Sequence, residues 1–284
     1  NWKCSYMEYV KLNNGLPMPL LGYGVYKVPP AQTKECVLQA LQIGYRLLDT
    51  AQFYANEAEV GQAIKESGIP RQDIFLTTKI WYSQADYHKA KDSIQASLER
   101  LQTDYVDLLL IHQPLGDYYG TYRAMEEAYR HGTTKAIGVS NFTPDRLVDL
   151  CFFAEIKPML NQVEAHVFYQ QKTAREVMRK YNVQPESWGS LAQGRTDCFT
   201  NPVLLEIGHK HNKSAAQVAL RFLIQNGIIS IPKSTHAERM RQNFEIFDFT
   251  LNDEEMQRIE ALDTNEGFSV PSSNFRRVEY LLGI

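Results

Sequence analysis

The stretch from Arg46 to Glu57 reads RLLDTAQFYANE. It decides the fold because it changes abruptly from apolar residues to polar and aromatic ones. Its first residues are apolar, as in a buried strand, and Asp49 follows them directly. The aromatic residue Tyr54 comes five positions later. Taken alone, these two residues suit a helix cap and a packed ring. The same pattern also fits an active site at the end of a strand.

Outward from this stretch, short apolar runs alternate with amphipathic segments along the chain. About eight of the runs read as strands, and they are LLGYGVY, RLLDTA, IFLTTKIW, YVDLLLIHQ, KAIGVSNF, MLNQVEAH, VQPESW and IISIPKS. Between them, apolar residues recur every three or four positions, which is typical of helices with one buried face. Several of these predicted helices end at a glycine suited to a C-cap, namely Gly44, Gly68, Gly132 and Gly227.

This alternation predicts a parallel sheet covered by helices, and roughly eight repeats favour a closed (β/α)8 TIM barrel. The alternative is an open, doubly wound sheet that binds a nucleotide at a G-x-G-x-x-G turn after its first strand. The segment GYGVYK, residues 22–27, has the first two glycines of that turn and lacks the third. The barrel is therefore the favoured fold class.

The length of 284 residues is usual for one such barrel. No Pro-rich, Ser-rich or highly charged linker divides the chain, so we expect one domain over residues 7–284 that ends in a C-terminal tail. Met7 opens a segment typical of a natural start. We therefore interpret residues 1–6 as a non-native remnant or an unusual extension.

Composition and charge argue against several classes of partner. The chain is 44% hydrophobic and 22% charged, with a formal net charge of -3, which suits a globular core and gives no strong field for nucleic acid or anionic lipid. No apolar run reaches the roughly 20 residues of a membrane helix. The cysteines lack the spacing of a metal site or a disulfide framework; they are Cys4, Cys36, Cys151 and Cys198. We expect a cytoplasmic protein without metal, nucleic-acid or membrane partners, as a monomer or a weak dimer.

Four polar residues stand where apolar runs stop, and they are Asp49, Tyr54, Lys79 and His112. Each has a structural explanation of its own, such as a cap, a half-buried ring, a solvent-exposed amine or an interior histidine. In a barrel, however, catalytic groups lie at the carboxyl ends of the strands and in the loops that follow. Four complementary groups at one barrel mouth therefore point to a catalytic site.

The chemistry of these groups is specific. A phenol is a poor acid at neutral pH, but an ammonium group such as that of Lys79 lowers the pKa of a neighbouring tyrosine. A buried lysine needs a carboxylate to stay charged, and Asp49 is the natural partner. His112 can polarise a carbonyl oxygen while Tyr54 protonates the developing alkoxide. These four residues are therefore suited to assist a carbonyl group that accepts hydride from a nicotinamide.

With these residues in order along the chain, the sequence resembles the aldo-keto reductase superfamily from Met7 to about Leu262. The segments that carry the resemblance are LDTAQFYANE, LTTKIW and LLLIHQP, followed in the same order as in the family by AIGVSNF, NQVEAH and IPKSTHAERMRQN. The chain is most similar to the short microbial type that includes 2,5-diketo-D-gluconate, methylglyoxal and prostaglandin F synthase-like reductases. The resemblance implies NADPH-dependent reduction of small aldehydes and ketones.

The resemblance also implies residue roles. Tyr54 would be the general acid, Lys79 and Asp49 the ion pair that adjusts its pKa, and His112 the group that orients the carbonyl. Tyr26 and Trp81 would form aromatic walls of the substrate pocket beside Tyr54 and His112. For Tyr26, ordinary packing is an equally good interpretation.

NADPH would lie extended across the barrel mouth. The residues implied for its nicotinamide end and for the channel are Asp49, Ser140, Asn141, Gln162, Trp188, Gly24, Val25, Gly189, Ser190, Leu191 and Gln193. Those implied for its adenosine end are Lys233, Ser234, Thr235, Arg239, Gln242 and Asn243. A lysine and an arginine with hydroxyls beside a helix start form a phosphate site, which favours NADP over NAD. The alternative for this segment is a solvated basic face.

The sequence departs from the family pattern in three places. Pro185 lies inside the seventh strand candidate, where it removes a backbone donor, so we expect this strand to start late. Ser190 stands where relatives would have proline. The tail DTNEGFSVPSSNFRRVEYLLGI after Leu262 does not resemble the usual family tail, which leaves substrate choice open. His166 is interpreted as structural.

Three alternative functions follow from other members of this fold class. A cofactor-binding auxiliary or structural protein with little turnover is the main alternative, and a steroid double-bond reductase with glutamate in place of the histidine is another. His112 argues against both. A metal-dependent hydrolase would need clustered histidines and carboxylates at strand ends, and the sequence offers no such cluster.

Overall fold

The computed structural model describes residues 7–194 and 197–284. Its first element is an antiparallel hairpin of β1 (Tyr9–Lys11) and β2 (Pro17–Pro19). The hairpin lies at the amino-terminal end of the later strands, because the Asn13 amide donates to the carbonyls of Pro158 and Asn182 at 3.3 and 3.2 Å. It therefore covers the end of the sheet opposite to the candidate site.

Eight parallel strands follow in chain order around one sheet. They are β3 (Tyr23–Gly24), β4 (Leu47–Asp49), β5 (Phe75–Ile80), β6 (Leu108–Ile111), β7 (Ile137–Ser140), β8 (Leu160–Glu164), β9 (Gln184–Trp188) and β10 (Ile229–Ser230). The ring closes where Gly22 N donates to Ser230 O at 2.8 Å and Ser230 N donates to Leu20 O at 2.9 Å. The predicted (β/α)8 barrel is confirmed.

Helices surround the barrel and connect its strands. They are α1 (Pro30–Ile43), α2 (Glu57–Glu66), α3 (Tyr87–Leu101), α4 (Tyr118–His131), α5 (Pro144–Phe153), α6 (Lys172–Lys180), α7 (Pro202–His211), α8 (Ala215–Gln225), α9 (Ala237–Phe244), α10 (Asp253–Glu260) and α11 (Phe275–Leu282). The glycines predicted as C-caps, Gly44, Gly68, Gly132 and Gly227, have φ values of 130°, 70°, 80° and 70°. Such positive φ values are open to glycine because it lacks a Cβ atom.

The strand that contains Pro185 does not start late, so that expectation is wrong. β9 begins at Gln184, and Pro185 is its second residue. Gln184 N still donates to Met159 O at 2.9 Å, and the Gln184 side-chain amide donates to Gly227 O at 2.7 Å on the β10 side. The strand tolerates proline because the missing donor falls at its beginning, where a side chain supplies a hydrogen bond to the neighbouring segment.

Three further observations concern the described residues. Cys36, Cys151 and Cys198 are buried free thiols, whereas Cys4 and the predicted extension at residues 1–6 lie outside the described part. Within that part, no helix combines the length and apolar character needed to cross a membrane. No group of three or more His, Cys, Asp and Glu side chains is arranged there to hold a metal ion.

Candidate active site

A buried ion pair forms the centre of the barrel mouth. Lys79 on β5 and Asp49 at the end of β4 are 0% and 1% exposed, and their Nζ and Oδ1 atoms lie 2.5 Å apart. Lys79 Nζ also donates to Thr50 O at 3.0 Å and to the Tyr54 hydroxyl at 3.2 Å. These bonds use all three hydrogens of the ammonium group, so the structure brings the first three predicted residues into direct contact.

Charge and burial set the protonation of this centre. Burial alone would lower the pKa of Lys79, but the Asp49 carboxylate and Tyr54 outweigh it and raise that pKa. Burial raises the pKa of Tyr54 to about 12, and Lys79 opposes this only in part. Lys79 thus acts on the pKa of Tyr54 in the predicted direction, but the net shift is upward because desolvation of the phenolate exceeds the attraction of the ammonium. Tyr54 is a protonated donor at neutral pH.

His112 follows β6 and completes the predicted set. Its ring lies edge-on to that of Tyr54 at a centroid distance of 5.7 Å and edge-on to Trp81 at 5.0 Å. Burial, and then the charge of Lys79, hold the pKa of His112 well below its ordinary value. The imidazole is therefore neutral, and a neutral imidazole can donate one hydrogen bond without carrying a charge into the site.

The residues predicted for a nicotinamide lie on the next three strands. Gln162 on β8 donates from Nε2 to Asp49 Oδ2 at 2.8 Å, and Ser140 on β7 donates to Gln162 O at 2.8 Å. Asn141 adopts a left-handed φ of 62°. Its Oδ1 accepts from Trp188 Nε1 at 2.9 Å. The Asn141 amide also donates to Ser140 Oγ at 3.2 Å, so a series of hydrogen bonds through Asn141, Ser140 and Gln162 connects the indole at the end of β9 to the ion pair.

The channel beside β3 depends on a close backbone approach. A Cβ atom on Gly24 would lie 2.8 Å from Ile231 O, so this position requires glycine. Val25 N donates to Asp49 O at 3.1 Å. The fully buried Asn56 fixes the same loop, because its amide donates to Val25 O at 3.1 Å. Sequence reasoning did not identify Asn56, although it lies within the stretch RLLDTAQFYANE.

The loop from Gly189 to Gly194 follows β9 with four residues in the left-handed region, and their φ values are 66° at Gly189, 53° at Ala192, 51° at Gln193 and 68° at Gly194. Ser190, in place of the expected proline, is 2% exposed and lies 2.9 Å from the Ser187 hydroxyl. Leu191 packs against both apolar clusters of the core. A hydrogen bond thus supports the turn that a proline ring would otherwise stiffen.

The predicted adenosine segment precedes and enters α9. The Tyr23 hydroxyl donates to Ser234 O at 2.6 Å, which fixes the loop, and Asn243 is buried. Thr235 is half-buried, and the residues with exposed side chains are Lys233, Arg239 and Gln242. In the described part of the chain, neither Lys233 nor Arg239 takes part in an ion pair with a carboxylate. Two free cations therefore stand near one helix start.

Aromatic rings surround the entrance to the ion pair. Tyr26, which is 40% exposed, lies 5.2 Å from the Tyr54 ring. Phe53 stacks on Trp81 at a centroid distance of 4.1 Å, and the Tyr82 ring also packs against Trp81, at 4.5 Å. Sequence reasoning found Tyr26 and Trp81 and missed Phe53, whose position beside Tyr54 in a strand-end loop was an available signal.

The C-terminal tail is attached to the barrel mouth by a buried carboxylate. Glu164, at the end of β8, accepts from Phe268 N at 2.7 Å and from Ser269 N at 3.2 Å. His166 lies 3.1 Å from the same carboxylate and stacks on the Phe268 ring at 5.6 Å. Phe268 in turn lies edge-on to Trp188 at 5.7 Å. The structural interpretation of His166 fits this geometry, whereas the tail contact was not foreseen.

The chain matches the Aldo/keto reductase family over residues 20–264. It therefore belongs to this family of oxidoreductases, whose members use NAD(P)H.

Individual relatives agree with this assignment. The chain is 46% identical to the glyoxal reductase of Bacillus subtilis over 264 residues, which cover 92% of this chain and 95% of that protein. It is 42% identical to the 9,11-endoperoxide prostaglandin H2 reductase of Trypanosoma cruzi, with 96% and 97% of the two chains covered.

Solved structures agree as well. MGS-M4, an aldo-keto reductase from a deep-sea metagenome library, is 42% identical with a TM-score of 0.91, and 93% of this chain and 98% of that chain are covered. An aldo-keto reductase complexed with NADPH is 32% identical with a TM-score of 0.89, and 94% of this chain and 90% of that chain are covered. The fold prediction and the family resemblance are both confirmed.

Proposed function

We propose that this protein reduces small aldehydes and ketones to alcohols with NADPH, and that Tyr54 is the general acid. The observation that carries the proposal is the position of Lys79 Nζ, which lies 2.5 Å from Asp49 Oδ1 and 3.2 Å from the Tyr54 hydroxyl. An ammonium group in this position lets a tyrosine release its proton to an alkoxide and remain stabilised as a phenolate.

Each residue of the centre has a distinct task in this proposal. Asp49 keeps Lys79 charged, and the hydrogen bond from Lys79 to Thr50 O at 3.0 Å holds the ammonium in place. The neutral His112 donates a hydrogen bond to the carbonyl oxygen and orients it toward Tyr54. Tyr54 then donates its proton to the oxygen as negative charge develops there. The surrounding rings exclude water, which strengthens each of these electrostatic interactions.

Three features support NADPH as the cofactor, which supplies the hydride from its nicotinamide ring when bound. Ser140, Asn141 and Gln162 would hold the carboxamide through hydroxyl and amide groups, and Trp188 would offer a face on which the nicotinamide ring could stack. Lys233 and Arg239, free of carboxylate partners in the described residues, suit a phosphate on the adenosine ribose. Gly24 and Val25 line the channel between these two ends.

The aromatic entrance supports small carbonyl compounds as substrates. Tyr26, Phe53 and Trp81 narrow the approach to His112, with Phe53 and Trp81 stacked at 4.1 Å. The relative from Bacillus subtilis is named a glyoxal reductase, which fits a compact dicarbonyl substrate. We include Phe268 in this pocket because Glu164 holds it beside Trp188, and we propose residues 7–284 as one functional unit.

The test is NADPH oxidation with a panel of aldehydes, diketones and sugar-derived ketones, using wild type, Tyr54→Phe and Tyr26→Phe. Tyr54→Phe removes the acid, so kcat/KM should fall about 100-fold or more while NADPH affinity stays within a few-fold. Tyr26→Phe removes a hydroxyl from the neighbouring ring and should retain most activity. NADPH binding without turnover by wild type on any compound would instead support a cofactor-binding role with little catalysis.

A further inference from the structure

One buried carboxyl group in the barrel mouth has no role in the chemistry above. Glu186 lies on β9, opposite Gln162 of β8 and Ile229 of β10 in the strand register. It is 0% exposed. Neither of its carboxyl oxygens has a hydrogen-bond partner among the described residues. A charged carboxylate without partners in such a place would be costly.

The donors nearby are already used by other groups. The charged groups whose fields act on Glu186 are Asp49 from β4 and Lys79 from β5. Lys79 directs its three hydrogens to Asp49, Thr50 O and Tyr54, and the Gln162 amide donates to Asp49. Burial raises the pKa of Glu186 well above its ordinary value, and the Asp49 carboxylate adds to the effect while the charge of Lys79 opposes it.

We propose that Glu186 is held as a neutral carboxylic acid, and that this neutral state allows Lys79 to remain bound to Asp49 and Tyr54. A second carboxylate here would compete for the ammonium group and would withdraw the hydrogen bond that now reaches the Tyr54 hydroxyl. Glu186 is thus a positioning residue for the general acid. This role rests on the proposed function, whereas the neutral state of Glu186 does not.

The neutral state has a measurable linkage to folding. An unfolded glutamate loses its proton above a pKa of about 4.3, but folded Glu186 keeps its proton, so folding takes up one proton at neutral pH. The contribution of Glu186 to wild-type stability then falls as pH rises. Glu186→Gln removes this dependence and keeps a neutral side chain of the same shape. The ratio of the unfolding constants, wild type over variant, should rise by up to about tenfold per pH unit above the unfolded pKa of about 4.3, for as long as folded Glu186 keeps its proton.

A matched control is Glu57→Gln. Glu57 is also buried, at 2% exposure, but its carboxylate accepts from Arg100 at 2.7 and 2.9 Å and from Thr78 at 2.7 Å. Removal of this charge should destabilise the protein by a factor that does not change over the same pH range. Only the Glu186 variant should gain stability relative to wild type as pH increases.

Two further readouts complete the test. The infrared spectrum of wild type should contain the carbonyl stretch of a protonated carboxylic acid that Glu186→Gln lacks and Glu57→Gln retains. Glu186→Gln should also keep kcat/KM within about threefold of wild type at neutral pH. If this variant does not fold, Glu186→Met, which is neutral and of similar length, takes its place in each measurement.

Three results would overturn the proposal. A stability ratio independent of pH, together with no difference in the carboxylic acid band, would show an ionised Glu186. A folded neutral variant that loses more than about tenfold in kcat/KM would show that its charge is needed. A wild type that has the expected band and stability ratio but reduces no carbonyl compound would leave Glu186 neutral and remove both its positioning role and the proposed function.

Discussion

The two ends of the candidate cofactor site differ in the burial and pairing of their positively charged side chains. At the hydride end, Lys79 is 0% exposed and all of its hydrogens bond to protein groups. At the adenosine end, Lys233 and Arg239 are exposed and, within the described residues, form no ion pair. In the function we propose, the first cation acts on the reaction through Tyr54, and the other two bind a phosphate of the cofactor.

The largest effect that this comparison predicts is at Lys79. Lys79→Met leaves Asp49 buried without its partner, which should cost about 3–5 kcal/mol of unfolding free energy. It also removes the charge beside Tyr54, so kcat/KM should fall by at least about 100-fold. Denaturant unfolding and NADPH oxidation measure the two effects. Lys65→Met, at an exposed position on α2, is the control, and a stable, active Lys79→Met would refute the buried-centre argument.

A smaller and more selective effect is expected at the adenosine end. Arg239→Ala should weaken NADPH binding by roughly 10- to 100-fold, as for loss of a charge-assisted hydrogen bond, and should leave NADH binding unchanged. Stability should not change because the side chain is exposed. Fluorescence titration of both cofactors makes the comparison, with Arg241→Ala on the same helix as control. Equal losses for the two cofactors would reject the phosphate assignment.

The smallest effect is expected where the tail meets the site. Glu164→Gln replaces the carboxylate that accepts from Phe268 N and Ser269 N with a weaker acceptor, so Phe268 should move relative to Trp188. We expect KM for carbonyl substrates to change by about two- to fivefold with little effect on kcat, as for loss of about 0.5–1 kcal/mol of binding energy. Glu155→Gln, at a carboxylate whose side chain is 77% exposed, should change neither constant. An unchanged KM in the Glu164 variant would argue that the tail does not shape the pocket.

Much of the fold could be predicted because each apolar run and the polar residue at its end can be recognised within a short stretch of the sequence. Asp49, Lys79 and His112 each follow or end a run that is visible in the sequence, so their convergence follows once the barrel is recognised. The elevated pKa of Tyr54 could not be predicted in the same way. It depends on the balance between burial and Lys79, and burial is a property of the packed barrel.

The contacts of the tail were also beyond prediction. Glu164 and Phe268 are 104 residues apart in sequence, and no periodicity connects them. The role of Glu186 could not be predicted for a different reason, because a glutamate in the run VQPESW looks like an ordinary polar residue of a strand. Only the barrel register places it beside Gln162 with no partner for its carboxyl oxygens in the described chain.

The most direct test of the central claim, that Tyr54 is the general acid, is the pH dependence of kcat/KM for carbonyl reduction by wild type and Tyr54→Phe. Tyr54 has a pKa raised to about 12 and stays protonated as pH rises, while the pKa of His112 is lowered and it stays neutral. The account predicts a wild-type plateau from about pH 6.5 to 9 and a large loss at every pH in the variant. A wild-type rate that increases toward low pH with a midpoint near 6.5, and that persists in Tyr54→Phe, would make protonated His112 the acid and contradict the account.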